Sequence, residues 1–366
     1  MKISQVFLAK KFIDFNRSYG ISSATFSGEA FLILKLLGED GTFGIADSVT
    51  AIPFGYEDVD TMIHIIQKYL SPVIIGKDAL SIEALGTAME KAVPGHPMAK
   101  AAIDIALYDL NAKTLGLPVY QLLGGKCRNE IRLGSAVGIS HTEQMVQEVF
   151  DLVQQGCRDI KIKIGIDPKA DLERIKEIRN AIGPEPRLYI DGNQGCLLTE
   201  YLPFFQKMEP YDLAFIEQPL PVWDIQGYQK LCARLDTPIL IDEGVYTPSD
   251  IMTLIKYQAI DGINIKILKT GLTGGKKICA IAESAGVSCH LGSMFETGIG
   301  TAAGIHFAVS TRSISHACEC FFPTFLTEDV IQGDIYSTVP KSWTWQVPQK
   351  NGLGISLKPD VDCLLA

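Results

Sequence analysis

Two lysines spaced by one residue, Lys161 and Lys163 in DIKIKIG, open a series of charged side chains set into short β-branched runs. Asp191 and Asn193 follow in RLYIDGN, Glu217 in LAFIEQP, Asp242 and Glu243 in PILIDEG, and Lys266 in DGINIKIL. Successive side chains of a strand point to opposite faces. Ile160, Ile162 and Ile164 thus oppose Lys161 and Lys163, and Leu188 and Ile190 oppose Tyr189, Asp191 and Asn193. Ile216 opposes Glu217, Ile239 and Ile241 oppose Asp242, and Ile263, Ile265 and Ile267 oppose Asn264 and Lys266. Each strand sends its β-branched residues to one face and a charge to the other, near its C-terminal end. Alone, KIKI reads as a half-exposed strand with a wet lysine face, and IEQP as a strand end before a turn. Together they resist that reading, because the opposite face is too apolar for a solvated sheet and buried unpaired charges are costly. Carboxylates facing ammonium groups around a dication compensate one another.

The chemistry follows from the residue types. Three carboxylates, all oxygen donors, suit a hard cation such as Mg²⁺, with Mn²⁺ as a substitute, that keeps positions open for substrate oxygens. Beside a bound carboxylate such an ion lowers the cost of an enediolate when the α-proton leaves. A lysine serves as base only if its pKa falls towards neutrality, and Lys161 together with the metal pushes Lys163 that way. Lys266 arrives from the opposite side of the ring of strands. Two bases on opposite faces of one carbon allow inversion, whereas one base with an acid allows elimination or cycloisomerisation.

The elements that must position these residues are equally readable. From about Ile131 the runs IRLGSAV, DIKIKIG, RLYIDGN, LAFIEQP, PILIDEG, DGINIKIL, VSCHLGS and SISHACECF alternate with amphipathic stretches. Their period of roughly twenty-five residues is a βαβ rhythm. Asp167-Pro168 opens one helix, with Leu172, Ile175, Ile178 and Ile182 on one face and Gly183 after it; Thr247-Pro248 opens another. Eight strands favour an α/β fold of the (β/α)8 TIM-type barrel over a doubly wound sheet, with the charges at its C-terminal mouth. Ahead of the barrel, AFLILKLLGEDGTFGIADS reads as a hairpin turning at Asp40-Gly41. DVDTMIHIIQKYLSPVIIG and MAKAAIDIALYDLNAKTLG follow as helices, the second stopped by Gly116. The expected organisation is an α+β module over residues 1–125, the barrel over 126–322 and a tail, 323–366, that returns to the N-terminal module.

Bulk properties agree. The chain has 366 residues, 47% of them hydrophobic, and a net charge of −9, enough for a barrel plus a smaller domain. The acidic balance, without a Lys/Arg-rich run, argues against nucleic acid or an anionic membrane as partner. A small anionic substrate stays compatible, because local lysines or a metal outweigh the global field. The start, MKISQVFLAKKFIDF, reads as a first strand rather than a leader, and no stretch approaches the roughly twenty apolar residues of a membrane span. Nine cysteines without CxxC spacing read as reduced thiols of a cytoplasmic protein.

The motif set resembles the enolase superfamily, and within it the muconate lactonizing enzyme subgroup, over essentially the whole chain. It comprises the KxK of Lys161 and Lys163, the DxNQ of Asp191, Asn193 and Gln194, the ExP of Glu217 and Pro219, the DE of Asp242 and Glu243, and Lys266. The resemblance implies a modified barrel capped by an α+β domain made from the N-terminus and the C-terminal tail. It implies Asp191, Glu217 and Asp242 as Mg²⁺ ligands, Lys163 as principal acid/base and Lys161 as charge modulator. Lys266 becomes the opposing acid/base or a cationic stabiliser, with Asn193 and Glu243 supporting the ligands or the substrate. A mandelate-racemase type would carry a His–Asp dyad on the sixth and seventh strands; the sixth carries Lys266, so His290 reads as a packed histidine or one that backs the site residues. Glu296 in GSMFETG resembles the acid that muconate cycloisomerases place in that loop. Glu319-Cys320-Phe321 departs from the Asp-x-Asp of dipeptide epimerases. Arg17 to Gly28 and Ser48 to Tyr56 match the family's specificity loops, where Tyr19, Phe26 and Tyr56 would shape an apolar lid. TGLTGG matches a structural turn beside the site, with phosphate binding as its alternative. The implied activity is that of an isomerase acting α to a substrate carboxylate, either a cycloisomerase or a racemase/epimerase of amino-acid derivatives. A dehydratase of a hydroxy acid or hydroxyproline-type substrate is the alternative. The implied partners are a small carboxylate substrate and further copies of the chain in a homo-oligomer. A silent binding protein is disfavoured, since every ligand and base position is filled.

Overall fold

Alternating apolar and polar residues make the N-terminal segment a three-stranded antiparallel sheet, β1 (Ile3–Gly20), β2 (Thr25–Gly38) and β3 (Phe43–Val49). The computed structural model describes every residue except 51, 53–56, 334 and 366. The hairpin between β2 and β3 turns at Asp40-Gly41 as expected, with Gly41 at φ 85°. The stretch Arg17 to Gly28, expected as a loop, is mostly strand: β1 and β2 extend as a ribbon in which Tyr19 pairs with Phe26. Its tip closes by the Ile21 N–H to the Ala24 carbonyl, 2.8 Å. The ribbon lies against the barrel, where a Cβ on Gly20 would sit 2.6 Å from the Ile139 carbonyl oxygen. The helix Pro97–Leu115 is apolar nearly all round because it packs between this sheet and the barrel helix Ile267–Ala285. It ends at Gly116, φ 69°, as a left-handed C-cap.

The barrel sheet runs in the order β11-β10-β9-β8-β7-β6-β5, all parallel. Its strands are β5 (Ser135–Val137), β6 (Asp159–Lys163), β7 (Arg187–Asp191), β8 (Leu213–Glu217), β9 (Ile239–Ile241), β10 (Gly262–Ile265) and β11 (Ser288–Leu291). Two of the eight expected strands differ. IRLGSAV is split: β4 (Glu130–Arg132) pairs antiparallel with β12 (Thr344–Gln346) of the tail, and only β5 joins the barrel. SISHACECF is not a ladder strand. It lies between β11 and β5 through single bridges, Cys289 with Ile314 and Leu133 with Cys318, so the ring is closed by alternating contacts to its two flanks. The modified barrel is thus seven paired strands and one bridging segment.

The strand phase is as read. Ile160, Ile162, Ile190, Ile216, Ile241 and Ile263 belong to the main core under the helices. Inside the ring, Tyr189, Phe215 and Leu240 form a separate apolar cluster. Each precedes Asp191, Glu217 and Asp242 by two residues, so a hydrophobic floor lies beneath the carboxylates. The tail touches both parts: Thr327 N–H bonds the Asp14 carbonyl at 3.0 Å, and β12 flanks β4. All nine cysteines are free. Among the described residues, no helix is long and apolar enough to cross a membrane.

Candidate active site

Lys161 and Lys163 lie on β6, Asp191 and Glu217 end β7 and β8, and Asp242 directly follows β9. Lys266 follows β10 and is the N-cap of the helix Ile267–Ala285, not a strand interior residue. All six are buried. The Lys163 ammonium donates to Asp191 Oδ2 at 2.5 Å and Asn193 Oδ1 at 2.7 Å. Lys161 donates to the Glu217 oxygens at 3.1 and 3.2 Å and to Glu319 Oε2 at 2.7 Å. On the far side Lys266 Nζ is 2.6 Å from Asp242 Oδ2, and Lys269 donates to Asp242 Oδ1 and to its carbonyl, both at 2.6 Å. Asn264 donates to Glu217 Oε1 at 2.7 Å, and Asn193 to Glu243 Oε1 at 3.1 Å. The DGNQ turn presents Asn193 from a left-handed backbone, φ 40°, held by its N–H to Asp191 Oδ1 at 2.9 Å.

Electrostatics mark a crowded acid cluster. Burial raises the Glu217 pKa well above the usual carboxylate range, and the nearby Asp191 charge raises it further. Burial also disfavours ionised Asp242, but Lys266 and Lys269 outweigh it and hold this acid well below the usual range. Glu243 is pushed up to about 7 by burial and by Asp242 and Asp191. Burial pulls Lys161 and Lys266 down, yet the facing carboxylates win and both sit above an ordinary lysine. Each ammonium is thus an ion-pair partner in this arrangement.

Among the described residues no three carboxylate, imidazole or thiol groups already converge on one point; Asp191, Glu217 and Asp242 are each paired with a lysine. The donor set still fits a dication. Asp191 and Glu217 are register neighbours, all donors are oxygens, and their mutual repulsion is what a divalent ion relieves.

Above the carboxylates is a small cavity of about 30 Å³, lined by Lys161, Lys163, Lys266, Glu319, Tyr19 and Phe295, among others. Phe295 is the hub of its lid: its ring lies 5.6 Å from Phe15, 5.9 Å from Tyr19, 5.1 Å from Phe26 and 4.4 Å from Phe322. Tyr19 therefore faces the cavity, Phe26 backs the lid, and Tyr56 lies outside the described residues. Glu296 does not line the cavity. It accepts the Ser293 hydroxyl at 2.5 Å and the Met294 N–H at 2.7 Å, bracing the loop that holds Phe295 at φ 68°. His290 is packed against Tyr189 and Phe215, with Nε2 3.5 Å from Glu319. In TGLTGG, Gly271 (φ 65°) starts a new helical turn, but Asp104 of the N-terminal module already takes the Leu272 and Thr273 N–H groups at 2.6 and 2.9 Å. A phosphate would find that place filled by a carboxylate.

Sequence reasoning missed Glu319 and Lys269 as members of the charge cluster, and Asp104 as the clasp. A KILK spacing read as helix rather than strand would have put Lys269 one turn beyond Lys266.

A barrel that gathers acids and lysines at the C-terminal mouth, beneath a lid in which Phe295 of the barrel meets Phe15, Tyr19 and Phe26 of the N-terminal sheet, has the layout of an acid–base enzyme. The family described as mandelate racemase / muconate lactonizing enzyme, N-terminal domain, matches residues 5–124, and the enolase C-terminal domain-like family matches 144–361. N-succinyl-L-Arg/Lys racemase of Bacillus cereus is 31% identical over 362 residues, covering 98% of this chain and 96% of that protein. L-Ala-D/L-Glu epimerase of Bacillus subtilis is 34% identical over 360 residues, 97% of each. The structure of a dipeptide epimerase from Enterococcus faecalis, complexed with Mg and L-Leu-L-Tyr, superposes with a TM-score of 0.91 at 31% identity. It covers 97% of this chain and 100% of that one. The chain belongs to the enolase superfamily, in its muconate lactonizing enzyme subgroup, and is an isomerase.

Proposed function

We propose that the chain is a Mg²⁺-dependent racemase or epimerase that inverts the carbon next to the carboxylate of an N-acylated amino acid. The observation that carries this reading is the state of Glu319. It is the acidic side chain among the cavity-lining residues, and its oxygens are already taken by Lys161 and by the Tyr189 hydroxyl at 3.1 Å. A substrate with a free α-ammonium would find no unengaged acid among the described residues that line the cavity, whereas an acylated nitrogen needs none. The likeness to an N-succinyl amino-acid racemase supports the same choice.

Asp191, Glu217 and Asp242 would hold the ion, with Mn²⁺ as a substitute. When bound, it supplies charge to stabilise the enediolate form of the substrate carboxylate. Lys163 takes the α-proton from one face and Lys266 returns one to the other. Lys161 balances acid charge, Asn193 orients Lys163, and the rings of Tyr19 and Phe295 exclude water. In this reading residues 1–125 and the tail 323–366 cap the 126–322 barrel. Nine free thiols support a reducing, cytoplasmic setting.

The test is a panel of N-acyl amino acids incubated with protein and Mg²⁺ in D₂O, followed by NMR and polarimetry. Deuterium at the α-carbon with loss of optical rotation supports the reading. A keto acid trapped by semicarbazide indicates a dehydratase instead, and a lactone a cycloisomerase.

A further inference from the structure

Lys161 stands where it obstructs the ion site that Asp191, Glu217 and Asp242 would form. Its Nζ lies 3.1 and 3.2 Å from the two Glu217 oxygens and 3.5 Å from Asp191 Oδ2. An ammonium there neutralises the oxygens a dication needs. Its shortest contact points elsewhere, to Glu319 Oε2 at 2.7 Å. Glu319 comes from the segment that bridges β11 and β5, and its N–H is fixed to the Leu291 carbonyl at 2.9 Å. Its other oxygen accepts the Tyr189 hydroxyl at 3.1 Å and lies 3.5 Å from His290 Nε2. The carboxylate is thus tied from the barrel floor. With Asp191 and Glu217 committed to an ion, Lys161, only 2% exposed, would keep Glu319 as its remaining acceptor. A buried ammonium without an acceptor is strongly disfavoured.

We propose that Glu319 is a positioning residue for the metal centre. It draws the Lys161 ammonium off Glu217 and so leaves that carboxylate to the dication, and Tyr189 holds it in place for this task. The proposal rests on the reading of Asp191, Glu217 and Asp242 as ligands.

Calorimetric titration of Mg²⁺ into the full chain, without substrate, tests it through a double-mutant cycle. Glu319→Gln weakens Mg²⁺ binding about tenfold when Lys161 is present, the low end of what supporting residues contribute. In a Lys161→Met background the same change costs less than about threefold, because the competitor is gone. Equal losses in both backgrounds would reduce Glu319 to a remote negative charge, and no loss in either would remove it from the site; both outcomes overturn the proposal. Tyr189→Phe keeps the formal charge and the ring packing, and is expected to weaken binding about threefold through the lost hydroxyl. It carries the test should a charge variant fail to fold, and an unchanged affinity would then overturn the proposal. A wild-type chain that takes up no Mg²⁺ refutes the ligand reading itself, which is distinct from a wild type that binds while its variants match it.

Discussion

Replacing Lys163 by methionine removes the ammonium and keeps the volume and apolar stem of the side chain. The lysine donates to Asp191 Oδ2 and Asn193 Oδ1, so the first question is whether its loss wrecks the proposed ligand set. It should not, because Asp191 Oδ1 still has the Asn193 N–H at 2.9 Å and Oδ2 still has Lys161 at 3.5 Å. One cation fewer competes for Asp191, so Mg²⁺ affinity should equal that of wild type or exceed it. The chemistry should fail on one face only. A positioned general base contributes roughly 10² to 10⁴ in rate, and racemisation, which needs both faces, should fall by at least about 10³. Exchange of the α-proton with D₂O should survive for the enantiomer that faces Lys266 and vanish for the other. Lys266→Met should show the mirror pattern. Proton NMR on each enantiomer of an N-acetyl amino acid, beside a Mg²⁺ titration, reads both quantities. Exchange of both enantiomers at wild-type rates in Lys163→Met refutes the assignment, and lost Mg²⁺ binding would make Lys163 a structural residue.

Asp191→Asn should weaken Mg²⁺ binding by more than about 100-fold, beyond what supporting residues give; an unchanged titration removes Asp191 from the ligand set. Asp104→Ala should cost about 2 kcal/mol in urea denaturation, because the Leu272 and Thr273 N–H groups and the Thr273 hydroxyl lose their acceptor; a loss below about 0.5 kcal/mol would mean water caps that turn equally well. Burial pushes Asp47 from 3.8 up to about 7, against its hydrogen bonds from Thr297. The native chain then holds a proton that the unfolded chain releases above 3.8, so this contribution is full below that value and is lost as pH rises through about 7. Asp47→Asn keeps the shape without the titration, and its stability relative to wild type should rise by about 2.6 kcal/mol between pH 5 and pH 8. Parallel pH–stability curves would count against that burial effect.

The inward face of the barrel could be read in advance because a strand has a period of two. With Ile190, Ile216 and Ile241 on the helix side, Asp191, Glu217 and Asp242 have one place left. The same rule explains its own failures. Past Ile265 the backbone turns helical, the period becomes 3.6 and Lys269 joins Lys266 on one face of the first turn; strand phase carried across that boundary loses it. SISHACECF alternates like a strand, yet its bonds go to two flanks by single bridges, so its alternation does not say that Glu319 meets Lys161, 158 positions earlier. Arg17 to Gly28 reads as a loop through its match to the family's specificity loops, but cross-strand pairs such as Tyr19–Phe26 extend the ribbon over the barrel. Asp104 sits in a helical pattern that would serve any surface aspartate, and its partners lie 168 and 169 positions away. What local sequence conceals is therefore the set of contacts made between elements. Those contacts tie the N-terminal module to the barrel and Lys161 to Glu319, so the surroundings of the acids are set by tertiary packing and not by motif spacing alone.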